Sequence, residues 1–564
     1  MRVDDFEHKV CTDNRTFYFD GAIDGLVRSD YTVEDKIEVP DVVSNLSSCL
    51  PRVSGRYAGV SIRDGTLDFA ASDIGAVQEL YYTMTETEVI VSTDFFELAK
   101  AEGQLEYDAS QVRYFIKEGH CRKGKTTFDG VYRLPPGETL ECGPNGVIST
   151  KSYIDHFQGV KVTFDVLKNA INDSVESIIK NDPHFEEVVS FSGGVDSSVL
   201  LSLIKGIKDA TTVTFRFVPS TNWNQPDVIR AERAARKLHV AQEVVDVDLN
   251  EIQLDYLEEI VPLMPFAAHL GINVRKVFET LENRKKRLWS GIDLDMLYCY
   301  GATTRGLIIN RFLVSDVYGR MLIGVTGYPR YQLVKKALDL SLVGLYRLIR
   351  AQRIQTPNTV GALVEYLSES HDDLALRVGG EQNDRQSRNV ETSESISVGD
   401  LRKLLFDEVH GAHVTGNNHK IQLLGAKLKK TECALPYSTP ALVHLLRNLN
   451  LSWLDVLLAK RLMYRYAREL GLYRSDFRVD TPLQTPRGAS QNWSRTFEST
   501  SFGTELCQKT ADLATQIGFV LDVTDLTRWE KQLGLLWINN VREELGRIGV
   551  VTRWPIFTGE HARI

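Results

Sequence analysis

Alternating apolar and polar positions dominate the first part of the chain and predict antiparallel β structure. Residues 59–69 form two alternating runs around an Asp-Gly pair, which is typical of a β-hairpin. A helix is predicted to begin near Ser110. Further strands are predicted at 80–83, 88–92 and within 130–140.

From about residue 160 the pattern changes to alternating strands and helices, which indicates a parallel α/β sheet. Strands are predicted at 188–191, 211–217 and 242–247, and a helix at 227–238. The polar run 376–398 lacks core-forming residues and predicts a mobile insertion. From about residue 505 the chain is predicted helical again. An apolar stripe there indicates packing rather than a cofactor site, and it consists of Trp529, Leu533, Leu536, Trp537 and Val541.

A turn of small residues lies between the strand at 188–191 and the helix that follows it. Its glycines let the backbone approach a phosphate, and the helix N-terminus favours negative charge. The serines add hydroxyl donors. Asp196 alone would repel phosphate, so a bridging Mg²⁺ is expected. The residues predicted to bind a phosphate group here are Ser190, Ser192, Gly193, Gly194, Val195, Asp196, Ser197 and Ser198.

This loop resembles the pyrophosphate loop of the N-type ATP pyrophosphatases, which cleave ATP to AMP and pyrophosphate. A second block, 288–298, resembles the Ser-Gly-Glu-Gly-x-Asp-Glu-Leu-Phe segment of asparagine synthetases through Ser290, Gly291, Asp295 and Leu297. The resemblance implies that Asp295 and Asp196 share one metal ion. It also implies that Ser290, Gly291, Phe215 and Phe217 border the nucleotide.

A third block, 431–443, resembles the family's Leu-Glu-x-Arg-x-Pro-Phe-Leu-Asp-x-x-Leu-Val, with Glu432, Pro436, Leu442 and Val443 matching. In the N-terminal part, 71–82 is similar to the Arg-Asp-x-x-Gly-x-x-Pro-Leu-Tyr-Tyr hairpin of the family's glutaminase domain, and 132–137 to its Leu-Pro-Pro-Gly turn.

The resemblance implies an α/β fold in three parts. Residues 1–155 are expected to form a glutaminase-like α/β/β/α sandwich of the N-terminal-nucleophile type. Residues 156–500 are expected to form a doubly wound parallel α/β synthetase domain of the adenine-nucleotide α-hydrolase type. Residues 501–564 are expected to form a helical extension.

Two positions depart from the family pattern. The family's glutaminase uses a cysteine directly after Met1, and here that residue is Arg2. An inactive glutaminase is therefore expected, as in the β-lactam synthetases and lasso-peptide cyclases, with processing to expose Cys11 as the alternative. Ile292 stands where asparagine synthetases have a glutamate, so a different substrate is expected.

The family's late catalytic lysine has no evident counterpart. Arg478 and Arg487 are the candidate catalytic residues, because a guanidinium can stabilise a negatively charged transition state by forked donation. The alternative for each is a solvated surface arginine.

Composition narrows the partners. A net charge of −9 argues against a general nucleic-acid binder. There is no apolar stretch of about 20 residues for a membrane span, and the start of the chain lacks a signal-peptide core. The seven cysteines form no Cys-x-x-Cys pair and are typical of reduced thiols, so a cytoplasmic protein is expected.

Together these features predict an ATP- and Mg²⁺-dependent carbon–nitrogen ligase. It would adenylate a carboxylate of a small molecule or peptide, release pyrophosphate, and transfer the acyl group to ammonia or an amine. Intramolecular lactam or macrolactam closure, amidation of a carboxylated sugar in polysaccharide assembly, and a non-catalytic nucleotide-binding role are the alternatives. The identity of both substrates and a homodimeric state stay open.

Overall fold

The structure, a computed structural model, describes residues 8–11, 15–27, 33–34, 53–63, 66–74, 78–84, 89–142, 148–152, 163–181, 183–218, 225–248, 250–251, 254, 256–268, 272–281, 285–292, 294, 402–403, 406–407, 419–449, 461–472, 499–517 and 528–554. Two compact units divide the chain. The first comprises Met1–Leu294, His410–Asn448 and Met463–Ile564, and the second Asp295–Val409 and Leu449–Leu462. In the second, residues 402–403, 406–407, 449 and 461–462 are described. The predicted insertion at 376–398 lies outside the described residues.

The first part of the chain folds into two antiparallel sheets. In the larger one the strands follow the order β1-β2-β4-β5-β10-β11, and β3 pairs with β2. In the smaller one the order is β7-β6-β9. Their bounds are β1 His8–Cys11, β2 Arg15–Val27, β3 Val33–Glu34, β4 Val53–Arg63, β5 Thr66–Ser72, β6 Tyr81–Met84, β7 Val89–Ser92, β9 Val131–Arg133, β10 Glu138–Cys142 and β11 Ile148–Ser152, with β8 at Gln104–Glu106.

An apolar core holds the two sheets together. It joins β4 and β5 to β6 and β7, and it contains Ala58, Val60, Ala70, Leu80, Tyr82, Val91, Leu134 and Leu140. Tyr81 is the neighbour of Tyr82 on β6, and its ring packs against Phe95 and Phe266. The predicted hairpin is confirmed by the antiparallel β4–β5 pair, in which Ser61 faces Phe69. The four-layer arrangement expected from the resemblance stays a prediction.

Helices α1 Phe95–Glu102 and α2 Ala109–Glu118 follow the second sheet. Each begins after an aspartate whose carboxylate accepts hydrogen bonds from two backbone N–H groups of the first turn, which satisfies groups that have no intrahelical acceptor. The caps are Asp94 and Asp108. The helix predicted near Ser110 is therefore confirmed.

Five parallel strands form the second half of the fold: β12 Glu186–Ser190, β13 Ala210–Val218, β14 Gln242–Asp248, β15 Lys286–Ser290 and β16 Glu432–Ala434. Their order is β14-β13-β12-β15-β16. The predicted parallel sheet is confirmed. The helices that accompany it are α3 Phe164–Asn181, α4 Val195–Lys205, α5 Gln225–Lys237, α6 Tyr256–Ile260, α7 Ile272–Leu281, α8 Lys420–Leu428, α9 Pro440–Asn448 and α10 Arg461–Glu469.

The chain runs outward from β12 to β14 and then returns to the other side of β12 as β15. Crossovers in opposite directions leave a crevice between the carboxyl ends of β12 and β15, and open α/β sheets bind their ligands at such a point. This strand order therefore determines where a nucleotide site can lie.

Glu187 lies on β12 near its amino end, and its side chain is fully buried. Its two oxygens accept hydrogen bonds from Arg287 at 2.8 and 3.0 Å and from the Trp289 indole at 2.6 Å. Lys208 lies 3.5 Å from the same carboxylate. Buried charges are tolerated only when they are paired in this way, so this cluster joins β12 to β15 away from the crevice.

Helices α11 Ser501–Ile517 and α12 Arg528–Arg547 and strand β17 Val551–Arg553 end the described chain. The predicted packing stripe is confirmed for Leu533, Leu536, Trp537 and Val541, which are buried in the core, and the Trp529 side chain lies outside those described. The Trp537 indole donates to the Met264 carbonyl oxygen at 3.0 Å. Strand β17 pairs in parallel with β8. No helix among the described residues is long and apolar enough to cross a bilayer.

Candidate functional site

The loop between β12 and α4 lies at the crevice. Phe191 continues the ladder, since its N–H donates to the Val213 carbonyl oxygen at 2.8 Å. Gly193 then adopts a φ of +65°, a left-handed conformation that glycine adopts at little cost. Gly194 is extended and caps α4. The predicted strand, turn and helix are confirmed, and the first turn of α4 points at the carboxyl edge of the sheet.

The loop packs directly against helix α5. A β-carbon on Gly193 would lie 2.8 Å from the Arg230 carbonyl group and from the Ala231 nitrogen. Arg230 reinforces this contact, because its Nε donates to the Ser192 carbonyl oxygen at 3.2 Å. The close approach leaves no room for a side chain, so a glycine is required here for space as well as for backbone conformation.

The serine hydroxyls of the loop differ in their contacts. The Gly194 N–H donates to the Ser192 Oγ at 3.3 Å, and the Ser197 Oγ donates to the Gly194 carbonyl oxygen at 3.2 Å. The two serine Oγ atoms are 3.3 Å apart. The Ser198 Oγ is buried and has no hydrogen-bond partner within the described part of the chain. These hydroxyls can serve an anion bound at the start of α4.

The second predicted block meets the loop across the crevice. Ser190 and Ser290 are register partners at the ends of β12 and β15. A β-carbon on Gly291 would lie 3.6 Å from Ser197 backbone atoms. The Ile292 N–H donates to the Ser290 Oγ at 3.4 Å. The structure thus brings Ser290 and Gly291 next to Ser190 and Ser197, although about 100 residues separate them in sequence.

Tyr437 is a site residue that sequence reasoning missed. Its hydroxyl donates to the Asp196 carbonyl oxygen at 3.0 Å, and its ring lies 3.7 Å from where a Gly291 β-carbon would be. Burial, helped by the Asp196 charge, raises the pKa of Tyr437 well above its usual 10.0, so the hydroxyl stays protonated. The available signal was a tyrosine where the family motif has phenylalanine.

Asp196 is the second residue of α4 and is half-buried. A carboxylate in a helix's first turn is stabilised by the helix dipole, and a divalent cation there would gain an oxygen ligand. Asp295, Arg478 and Arg487 lie outside the described residues. Within the described residues, no three His, Cys, Asp or Glu side chains come together as a metal site. The shared-metal pair therefore stays a prediction.

The residues predicted to border adenosine lie on β13. Phe217 is buried in the apolar core, and Phe215 packs beside it with the ring centroids 5.4 Å apart. Between them, Arg216 forms a bidentate pair with Asp246 of β14 at 2.7 and 2.9 Å. The hydrogen bond from Arg216 lowers the pKa of the exposed Asp246 carboxyl. The role of the two phenylalanines toward adenosine stays a prediction.

Geometry and topology together place a glycine-containing loop at the switch point of a parallel α/β sheet, where such folds bind their ligands. Residues 167–291, which run from α3 to the end of β15, match the asparagine synthase family. The resemblance to the asparagine synthase family is confirmed over this segment. The match supports an ATP-using, amide-forming synthetase in general terms. A comparison with curated proteins gives no match.

Solved structures give weaker likenesses. NMN synthetase from Francisella tularensis is 14% identical over 24% of this chain and 58% of its own, with a TM-score of 0.18. Glutamine-dependent NAD⁺ synthetase from Acinetobacter baumannii, in complex with ADP, is 12% identical over 41% of this chain and 55% of its own, with a TM-score of 0.16. A glutamine-dependent NAD⁺ synthetase from Cytophaga hutchinsonii is 11% identical over 57% of this chain and 75% of its own, with a TM-score of 0.19. This chain thus spans little more than half the length of the first two. TM-scores this low define no shared fold.

Proposed function

We propose that this chain is an AMP-forming, ATP-dependent ligase that makes an amide bond. The observation that carries the proposal is the loop Ser192–Ser198, which lies at the switch point of the parallel sheet and touches the turn at Gly291. Together with the asparagine synthase match over residues 167–291, this placement supports ATP cleavage between the α- and β-phosphates.

The reaction has two balanced steps. A carboxylate oxygen of the substrate attacks the α-phosphorus of ATP, the α–β phosphoanhydride bond breaks, and pyrophosphate leaves with its electrons. The nitrogen of ammonia or an amine then attacks the acyl carbon, the acyl–phosphate bond breaks, AMP leaves, and the nitrogen loses a proton. Adenylation is needed because a free carboxylate resists nucleophiles, whereas AMP is a good leaving group.

The residues of the loop would hold the leaving pyrophosphate. The left-handed Gly193 and the capping Gly194 shape the turn that leads into α4, and the Ser197 and Ser198 hydroxyls of the first helical turn would donate to the phosphate. Asp196 would bind Mg²⁺ together with Asp295. Bound Mg²⁺ supplies charge neutralisation at the leaving group. The loop's part is to orient that group in line with the attacking carboxylate.

The end of the site that binds the carboxylate and the amine is less well defined. Ile292 is half-buried beside Ser290, and its side chain neither accepts a proton nor pairs with a cationic amine. We therefore propose that the substrate is a carboxylate other than aspartate, from a small molecule or peptide. Two specific variants are closure onto an amine of the same molecule and amidation of a carboxylated sugar. The competing proposal is a protein that binds a nucleotide without catalysis. It is favoured by the same observation, that Ile292 provides no carboxylate.

The test is the fate of α-labelled ATP incubated with the full chain, Mg²⁺ and a panel of carboxylates, with and without ammonium. AMP and pyrophosphate in equal amounts are expected, together with exchange of labelled pyrophosphate into ATP. ADP and phosphate as products would contradict the proposal. ATP binding with no AMP formed from any carboxylate would favour the non-catalytic role.

The nitrogen source is tested separately. We propose that the N-terminal part does not hydrolyse glutamine, so glutamate release is expected to stay at the level of buffer. Cys11 ends β1, where its backbone pairs with Thr16. Glutamate release that disappears in Cys11→Ala, with a mature N-terminus at Cys11 by mass spectrometry, would overturn this part of the proposal.

A further inference from the structure

We infer that the N-terminal β structure positions the pyrophosphate loop through one continuous line of buried contacts. The line runs from Glu79 through Lys420 and His419 to Ser438 and Tyr437, and it ends on the backbone of Asp196. The effect on ATP kinetics rests on the proposed function, whereas the effect on hydrogen exchange of the loop does not. The line gives the N-terminal part a role that needs no glutaminase chemistry.

The line begins at a buried carboxylate beside β6. Glu79 is 7% exposed, and the Arg133 Nη1 lies 2.9 Å from one of its oxygens. The Tyr81 hydroxyl and the Lys420 Nζ both donate to the other oxygen. Burial raises the pKa of Glu79, but the Lys420 and Arg133 charges outweigh it, so the carboxyl is held below its usual range. The Arg133 side chain is 4% exposed and that of Lys420 14%, so both cations are largely removed from the water that could otherwise solvate them.

Lys420 is also the first residue of α8, so the charge contact fixes where that helix begins. The preceding residue, His419, is fully buried, and its Nε2 lies 2.7 Å from the Ser438 Oγ. Ser438 belongs to the 3₁₀ turn Pro436–Ser438, which Ser174 holds from the other side by donating to the Pro436 carbonyl oxygen at 2.7 Å. A shift of α8 therefore reaches this turn through one hydrogen bond.

The same turn carries Tyr437, whose hydroxyl is the last link. It donates to the carbonyl oxygen of Asp196, in the first turn of α4, at 3.0 Å. Tyr437 is fully buried, and its ring borders the turn at Gly291 as well. A displacement of this hydroxyl tilts the first turn of α4, and with it the Asp196 carboxylate and the Ser197 hydroxyl.

A shared apolar core also connects the two halves, so contiguity alone does not prove coupling. The polar line differs from the core in one respect that can be measured. Its three non-covalent links, Glu79–Lys420, His419–Ser438 and Tyr437–Asp196, can each be removed by a conservative substitution that changes the volume little. Its members are therefore expected to act on the loop together, and other buried ion pairs are not.

The experiment compares Lys420→Met and Tyr437→Phe with the matched control Lys208→Met. Lys208 also pairs with a buried carboxylate, Glu187, but away from the crevice. Amide hydrogen exchange of the ligand-free full chain is measured over 192–200. We expect Lys420→Met and Tyr437→Phe each to speed exchange there about tenfold, and Lys208→Met to leave it unchanged once global stability is matched with denaturant. Lys420→Arg, which keeps the charge, is expected to restore slow exchange.

The double variant Lys420→Met/Tyr437→Phe decides whether the contacts act as one line. The increase in exchange over 192–200 is expected to equal the larger of the two single-variant increases and not their product. The second substitution acts on a connection that the first has already removed. With ATP, both singles are expected to raise the KM for ATP more than they lower kcat. The inference would be overturned if Lys420→Met and Lys208→Met showed equal exchange of the loop. It would also be overturned if the effects of the two single substitutions multiplied in the double variant. Absence of AMP formation in the unsubstituted chain would instead count against the proposed function alone.

Discussion

The backbone of Gly193 lies so close to helix α5 that a β-carbon there would be 2.8 Å from the Ala231 nitrogen. Real β-carbons essentially never approach a neighbouring atom this closely. Either the loop or the helix must therefore shift when any other residue is placed at this position. We expect the loop to shift, because it lacks the regular backbone hydrogen bonds that hold helix α5. The serine hydroxyls would move with it.

Gly193→Ala is expected to reduce pyrophosphate–ATP exchange by at least tenfold. Gly103→Ala is the matched control, because Gly103 has a similar φ of +74° but open space around it. It carries the left-handed strain of about 1 kcal/mol without the clash, so it is expected to lower stability and leave exchange unchanged. Equal activity in the two variants would show that the contact with α5 does not matter for the loop.

Asp196→Ala is expected to lower AMP formation by at least about 100-fold, because it removes a metal ligand where charge develops. Asp165 offers a matched control, since it also lies in the first turn of a helix, α3, and is exposed. Asp165→Ala removes the same favourable dipole interaction and is expected to retain full activity. If raising the Mg²⁺ concentration has the same effect on both variants, Asp196 is not a metal ligand.

Arg287→Met is expected to destabilise the fold by about 3–5 kcal/mol, because it leaves the fully buried Glu187 carboxylate without its bidentate partner. Denaturant unfolding measures this change. The double variant Glu187→Met/Arg287→Met removes both charges and is expected to recover much of the loss. A single variant as stable as the parent chain would show that Lys208 and Trp289 suffice for Glu187.

Acid is expected to weaken the Glu79 cluster. The folded state holds the Glu79 pKa below its usual 4.5, so the unfolded chain binds the proton more readily. This stabilisation is fully present above pH 4.5 and is lost as pH falls through the lower folded pKa. The free energy of unfolding, measured with denaturant between pH 7 and pH 3, is expected to fall more for the parent chain than for Glu79→Gln/Lys420→Met. Parallel pH curves for the two proteins would contradict this assignment.

Ordinary asparagine synthesis is expected to be absent or very weak, because Ile292 replaces the carboxylate that the reaction uses. The chain is incubated with ATP, Mg²⁺, aspartate and ammonium, and asparagine is sought by mass spectrometry. Turnover at about 1–10³ per second would refute the expectation. Ile292→Glu alone is not expected to create the activity, since the family's late catalytic lysine has no evident counterpart here either.

Local patterns were enough to predict the conformation of the loop at 192–198. The strand, turn and helix from Glu186 to Lys205 are set by contiguous apolar and small residues, and the structure agrees with them. The helix predicted at 227–238 is found at Gln225–Lys237, a shift at the ends that is normal for fraying termini. The resemblance implied that the block 288–298 lies near the loop, but the pairing of β15 with β12 was not predicted, since parallel pairing has no local signature.

Contacts between distant residues could not be predicted in this way. Glu79 and Lys420 are 341 residues apart, and neither has a neighbour pattern that distinguishes it from a solvated surface charge. Burial by the surrounding chain is what turns them into a pair. Tyr437 shows the same limit, because the motif indicated its position but not that its hydroxyl reaches Asp196.

The pairing of β17 with β8 also has a consequence for biosynthesis. Arg553 and Glu106 are 447 residues apart, and the backbone of Ile116 on α2 packs against Gly534 of α12. At about 5–20 residues per second a ribosome needs roughly 20–90 s to make the intervening chain. Throughout that interval the nascent α2 exposes the face that α12 will cover. The face of α2 that packs on α12 is therefore completed only after the segment around Gly534 has been made.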